Sequence, residues 1–180
     1  MTSLRRLLLC GLIALSLSGC RPYPDRLLIE GASAHRGAWP ILYGESTING
    51  RRLFAFGEGR ADLRMPPPTD SSVLALALYW AEYHSGESWV AEVELPLTLA
   101  DRFQGTANLK VVIGRMGAIE IMSGPFGEEE LRSTGVICGT RTPELDATYT
   151  AEIEYLAKSD GWDAPGQPST AAPASPCEGR

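Results

Sequence analysis

Basic side chains are the first shortage. The chain has 16 lysines and arginines against 22 aspartates and glutamates, a formal net charge of −6. Nucleic-acid binders draw most of their affinity from a basic patch, so this balance excludes that class. Histidine is scarcer still, with only His35 and His84. A serine–histidine–acid site would have to be built on one of them. His35 lies in an irregular polar stretch, and no Gly-x-Ser-x-Gly elbow accompanies Ser85 or Ser88 beside His84. Cysteine occurs four times without a Cys-x-x-Cys spacing, which removes the common zinc and redox motifs. Glu82, His84 and Glu87 are the closest approach to a ligand set, and their spacing reads as a polar hairpin tip, so neither a metal nor a cofactor is expected. Gly114-Arg115-Met116-Gly117 lacks the lysine of a phosphate loop and leads into a strand, so it is a turn. The paired acids Glu92/Glu94 and Glu152/Glu154 alternate as the wet face of strands do, and an envelope hydrolase is the least favoured activity.

Long apolar runs are also missing. Leu7–Gly19 is thirteen residues without a charge, behind Arg5-Arg6. That is short of the about 20 residues needed to cross a bilayer, and it fits the core of a cleaved export signal. The run ends Leu17-Ser18-Gly19-Cys20, an apolar residue and two small ones before a cysteine. This pattern looks like a lipobox, in which the cysteine is alkylated with diacylglycerol, the chain is cut before it, and the new amine is acylated. Acyl chains contribute about 0.8 kcal/mol per buried methylene, enough together for a stable anchor. Cys20 is therefore the expected lipidation site and the lipid bilayer the first partner. Arg21 rather than aspartate follows, which points to the periplasmic face of the outer membrane. Loss of residues 1–19 removes two arginines and no acid, taking the charge to −8. Such a domain suits a basic protein partner.

The expected organisation is a signal peptide over 1–19, a lipidated tether over 20–37 containing Pro22 and Pro24, a β-rich globular domain over 38–158, and a disordered proline-rich tail over 159–180. Within the domain, Asn49-Gly50 turns a hairpin between Trp39–Gly44 and Arg52–Phe56, and Arg60–Asp70 reads as a stiff loop. Val73–Tyr83 is apolar on both faces, as a covered central strand would be. Trp89–Leu95 alternates with Glu92 and Glu94, and Leu109–Ile113 and Ile119–Met122 flank a glycine-rich turn. A short helix is expected over Leu99–Phe103, and strands over 132–138 and Thr148–Leu156. The fold class is thus mainly β, an antiparallel sandwich-like single domain with one or two short helices. Cys138 and Cys177 form an even pair for an oxidising compartment, so either a disulfide pins the tail or Cys138 is simply buried in its apolar run.

Two segments carry a resemblance. Leu78-Tyr79-Trp80-Ala81-Glu82 runs through Trp89 to Glu94-Leu95-Pro96, and Val111-Val112-Ile113-Gly114-Arg115-Met116-Gly117 runs through Ile119 to Ser123-Gly124-Pro125. Together Leu76–Pro125 resembles an uncharacterised family of bacterial lipoproteins, the domain of unknown function numbered 2931. The family often has a proline in the turn and a tryptophan before Gly-Pro, where this chain has neither and shows Ile121-Met122. The resemblance implies no catalytic residues. It implies an envelope lipoprotein, some of whose relatives look like immunity partners of periplasmic toxins. The function expected is thus non-enzymatic protein binding, with a structural or assembly role in the envelope as the alternative. The expected partner-binding residues are Glu82, His84, Glu87 and Arg115, on the two turns.

Overall fold

Alternation at every second residue decides most of the architecture, because a strand sends successive side chains to opposite faces. The computed structural model describes residues 26–34, 38–53, 59–64, 73–96, 102–103, 106–125, 131–161, 166 and 171–180. The signal segment, Cys20 and His35 lie outside the described residues.

The strands are β1 (Arg26–Ser33), β2 (Ile41–Tyr43), β3 (Thr47–Ile48), β4 (Arg51–Arg52), β5 (Gly59–Arg64) and β6 (Val73–Glu82). They continue with β7 (Glu87–Pro96), β8 (Arg102–Phe103), β9 (Thr106–Ile113), β10 (Ala118–Pro125), β11 (Arg132–Cys138) and β12 (Thr140–Arg141). A 3-10 turn at Pro143–Leu145 leads into the helix α1 (Asp146–Asp160). Sheet I has the order β11-β10-β9-β1-β5, with β8 also on β9. Sheet II has the order β12-β7-β6-β3-β4, with β2 sharing the β6 edge used by β3. All pairs are antiparallel except β1 with β9, so sheet I is mixed. The parallel pair follows from the path, since the chain leaves β1, builds much of sheet II, and returns to lie beside it.

The two sheets share one core. Leu27 and Ile29 of β1, Leu109, Val111 and Ile113 of β9, and Ile119 and Ile121 of β10 face Leu74, Leu76, Leu78 and Trp80 of β6 and Ala91, Val93 and Leu95 of β7. The expected mainly β fold holds. The expectation that β6 is covered on both faces holds only at one end. There Ala81 and Tyr83, with Leu42, pack under Ile153 and Ala157 of α1, whereas Ala75 and Glu94 remain exposed.

Several local expectations are corrected. The strand expected over Thr148–Leu156 is the helix α1. Its partly or fully buried residues Tyr149, Ile153, Leu156 and Ala157 follow the spacing of one helical face, which the every-second-residue alternation of Tyr149, Ala151, Ile153 and Tyr155 conceals. Gly161, at φ 71°, closes the helix with its N–H on the Ala157 carbonyl. The expected tether contains β1, a central strand of sheet I with Ile29 fully buried, so the domain reaches back at least to Arg26. Leu27 and Ile29 alternate correctly, and the prolines before them hid it. In the expected loop, Gly59–Arg64 is β5, while residues 65–70 lie outside the described residues. Arg102–Phe103 is a strand where a helix was expected, and residues 97–101 are outside the described residues. The Asn49-Gly50 turn exists, with both φ values positive at 48° and 70°, but it joins β3 to β4. β2 pairs with β6 instead. The tail expected to be disordered is ordered over residues 171–180, where Cys177 is buried and bonded to Cys138.

Candidate functional site

The four residues expected to bind a partner all lie at one end of the molecule. Here β1 ends, the Tyr83–Gly86 turn joins β6 to β7, and the Gly114–Gly117 turn joins β9 to β10. The Ser33 hydroxyl donates to the Trp39 carbonyl at 3.2 Å, which brings the segment after β1 over the same end.

Glu82 is at the centre and is 0 % exposed, so it is no contact surface. Its Oε2 accepts the indole N–H of Trp39 at 2.9 Å and the Ser85 hydroxyl at 3.3 Å. Its Oε1 accepts the Gly117 amide at 2.9 Å. One carboxylate thus ties together three segments distant in sequence. Burial pushes its pKa above the ordinary carboxylate value, and the Gly117 and Trp39 hydrogen bonds oppose that rise. His84 is also buried, its ring 5.3 Å from that of Trp39 and 5.1 Å from that of Tyr83. The expectation that Glu82 and His84 contact a partner is therefore corrected, because both side chains are buried against Trp39 while Ser85 and Gly86 at the hairpin tip stay exposed.

Arg115 and Glu87 are part-exposed but engaged. The Arg115 guanidinium lies 5.2 Å above the Trp39 ring, donates to the Pro173 carbonyl at 3.2 Å, and sits 3.9 Å from Glu178. Glu87 faces Arg141 at 3.7 Å. Arg141 also grips Asp146 through two donors at 2.8 and 2.6 Å and donates to the Ser88 carbonyl at 2.9 Å. The Ser88 amide donates back to Asp146 at 2.9 Å. This clamp fixes the start of α1 to β7. Arg141 holds the Asp146 carboxyl below its ordinary range, and Asp146 raises Arg141.

The turn glycine is demanded by close packing. Gly117 has φ 72°, and a Cβ there would stand 2.4 Å from the Trp89 ring. Gly117→Ala is expected to cost about 2 kcal/mol, from left-handed strain plus overpacking, read as a lower urea midpoint. Wild-type stability in this variant would show that Trp89 has room to move.

Among the described residues the arrangement is a buried structural knot around Glu82 and His84. Among the described residues no group of three histidine, cysteine or acidic side chains is placed to hold a metal ion. The exposed chemistry lies on α1. Tyr155 is 72 % exposed, with Glu152 and Glu154 exposed beside it. Pro143–Asp160 carries five acids and one lysine, a net charge of −4. Sequence reasoning missed Tyr155 because a strand reading placed it on the same face as Tyr149 and Ile153 and turned it inward.

No protein-family model matches the chain, and no curated protein or solved structure is similar to it.

Proposed function

We propose that this protein is an envelope lipoprotein, anchored through acylated Cys20 at the periplasmic face of the outer membrane, that works by binding a basic protein through the outer face of α1. The observation that carries the reading is Tyr155, a large aromatic left in water on an acidic helix whose other face is packed. Exposed tyrosines with a polar surround are favoured anchors of protein interfaces. The −4 charge of this segment, half of the −8 of the processed chain, steers a basic partner toward it.

The position of the helix supports the same reading. Cys20 precedes β1 by only five intervening residues, so the anchor lies within about 20 Å of Arg26. From Arg26, β1 runs eight residues, about 26 Å, to the end where α1 packs on Ala81 and Tyr83. The acidic helix thus packs at the end of β1 opposite Arg26, the described residue nearest the anchor in sequence. In its sharpest form the protein is an immunity factor that masks a toxin delivered to the periplasm.

The test compares tagged wild type with Tyr155→Ala and with the charge reversal Glu152→Lys/Glu154→Lys, captured from native membranes. A single stoichiometric basic partner is expected. Tyr155→Ala should weaken it about 30-fold through faster dissociation, and the charge reversal should slow association and flatten its salt dependence. A partner held equally by all three proteins would remove α1 from the interface. Recovery of cell-wall and outer-membrane components alone would favour a structural role. Palmitate incorporation lost in Cys20→Ser checks the anchor independently.

A further inference from the structure

The last ten residues form neither helix nor strand, yet they lie on the domain. Their non-covalent polar ties converge on Arg115. The Ser175 hydroxyl donates to the Arg115 carbonyl at 2.5 Å, and the Arg115 side chain donates to the Pro173 carbonyl and faces Glu178. The covalent tie is the Cys138–Cys177 disulfide. Only Cys177 of this segment is buried, and no strap residue belongs to either hydrophobic core. Ten ordered residues carry a large conformational entropy cost, and a few part-exposed hydrogen bonds offset little of it. The strap is therefore held in place chiefly by the bond.

Beneath it is apolar surface. Ala174 and Pro176 form one wall of a pocket of about 160 Å³; Ala34, Val112, Ala118 and Val136 contribute apolar lining, and Arg115 and Glu120 stand among them. Val136 is already 47 % exposed, on the edge strand β11. Cys138 ends that strand and is part-exposed, so a reductant can approach along an edge that no other strand covers among the described residues.

We propose that Cys138–Cys177 is a site of thiol–disulfide exchange, and that its reduction releases the C-terminal strap and uncovers the apolar patch of Val112, Ala118 and Val136 on sheet I while the two-sheet core stays folded. The co-reactant is a dithiol. Its thiolate attacks one sulfur of the bridge and expels the other as a thiolate, leaving a mixed disulfide. Its second thiol then displaces the remaining cysteine, so the dithiol leaves as a disulfide and Cys138 and Cys177 carry its two electrons and two protons. Release also frees Arg115 from Pro173 and Glu178, which changes the surroundings of the Trp39 ring beneath it.

The experiment uses the full chain in mild detergent, treated with excess dithiothreitol and then alkylated, beside an untreated sample and the Cys138→Ser/Cys177→Ser variant. Hydrogen exchange by mass spectrometry is the readout, with binding of an apolar dye. Amides over residues 171–180 should exchange at least about tenfold faster in the alkylated protein and in the variant, with β6, β7 and β9 unchanged and dye binding increased. Three results would overturn the proposal. They are a bridge left intact after treatment of the folded protein, a strap still protected after reduction, and protection of β6, β7 and β9 that falls together with that of the strap.

Discussion

Glu82→Leu is expected to lower the stability of the folded protein by about 4 kcal/mol, seen as a fall in urea midpoint without a change of fold. The carboxylate is fully buried and accepts from the Trp39 indole and the Gly117 amide, both at 2.9 Å. Leucine leaves both donors buried and unpaired, at about 1–3 kcal/mol each. Against this stands the cost of burying the carboxylate in the first place, which raises its pKa. That cost is recovered when a whole buried network is replaced by apolar groups, and much less when one acceptor is removed and its donors stay behind. The loss should therefore dominate. Glu82→Gln should fall between the two proteins, because one oxygen keeps its donor while the amide nitrogen meets another N–H. If Glu82→Leu melts with the wild type, the knot does not hold this end of the domain together.

The same residue sets a pH signature. A carboxyl whose folded pKa is raised makes the native state bind its proton more tightly than the unfolded chain does. Its influence makes stability rise as pH falls through the raised value toward 4.5, and stay level above it. Asp146 acts in the opposite sense. Its pKa is lowered by Arg141, so its contribution is present above its ordinary value of 3.8 and is lost as pH falls through the depressed one. Glu82→Gln should remove the first slope and leave the second.

How much of this was legible in the sequence depends on the range of the interactions. The hairpins β6–β7 and β9–β10 are local, and their alternation and turn glycines state them directly. The helix α1 was hidden because Thr148–Tyr155 satisfies a period of two, although Pro143 ahead of it and Gly161 behind it are the start and stop signals of a helix. β1 was hidden by its neighbours Pro22 and Pro24, and its pairing with β9 is set about 80 residues away. The site was the least legible part. Glu82 sits in a sequence that looks like an exposed hairpin tip, and what buries it is Trp39, 43 positions earlier, and Gly117, 35 positions later. No local pattern contains that meeting. Tyr155 follows from the same misreading in reverse, since the face of α1 it occupies exists only once the segment is helical.

Removing the bridge by Cys138→Ser/Cys177→Ser is expected to cost about 3 kcal/mol of stability against unfolding. The two cysteines are 39 positions apart, and closing a loop of that length in the unfolded chain is worth about 4 kcal/mol by chain entropy. The full amount would appear only if the native state were indifferent to the loss. It is not indifferent if the strap comes free, because the native chain then also gains the freedom of its last residues, and that gain offsets part of the loss. The shortfall between about 4 and the measured value is thus itself a reading of strap release. Equilibrium urea unfolding of the variant against the oxidised wild type gives the number. A loss of the full 4 kcal/mol or more would mean that the strap stays docked without its bond, or that the bond braces β11 and α1 within the packed domain. A loss near zero would mean that release of the strap returns to the native chain nearly all the freedom that the bond removes from the unfolded one.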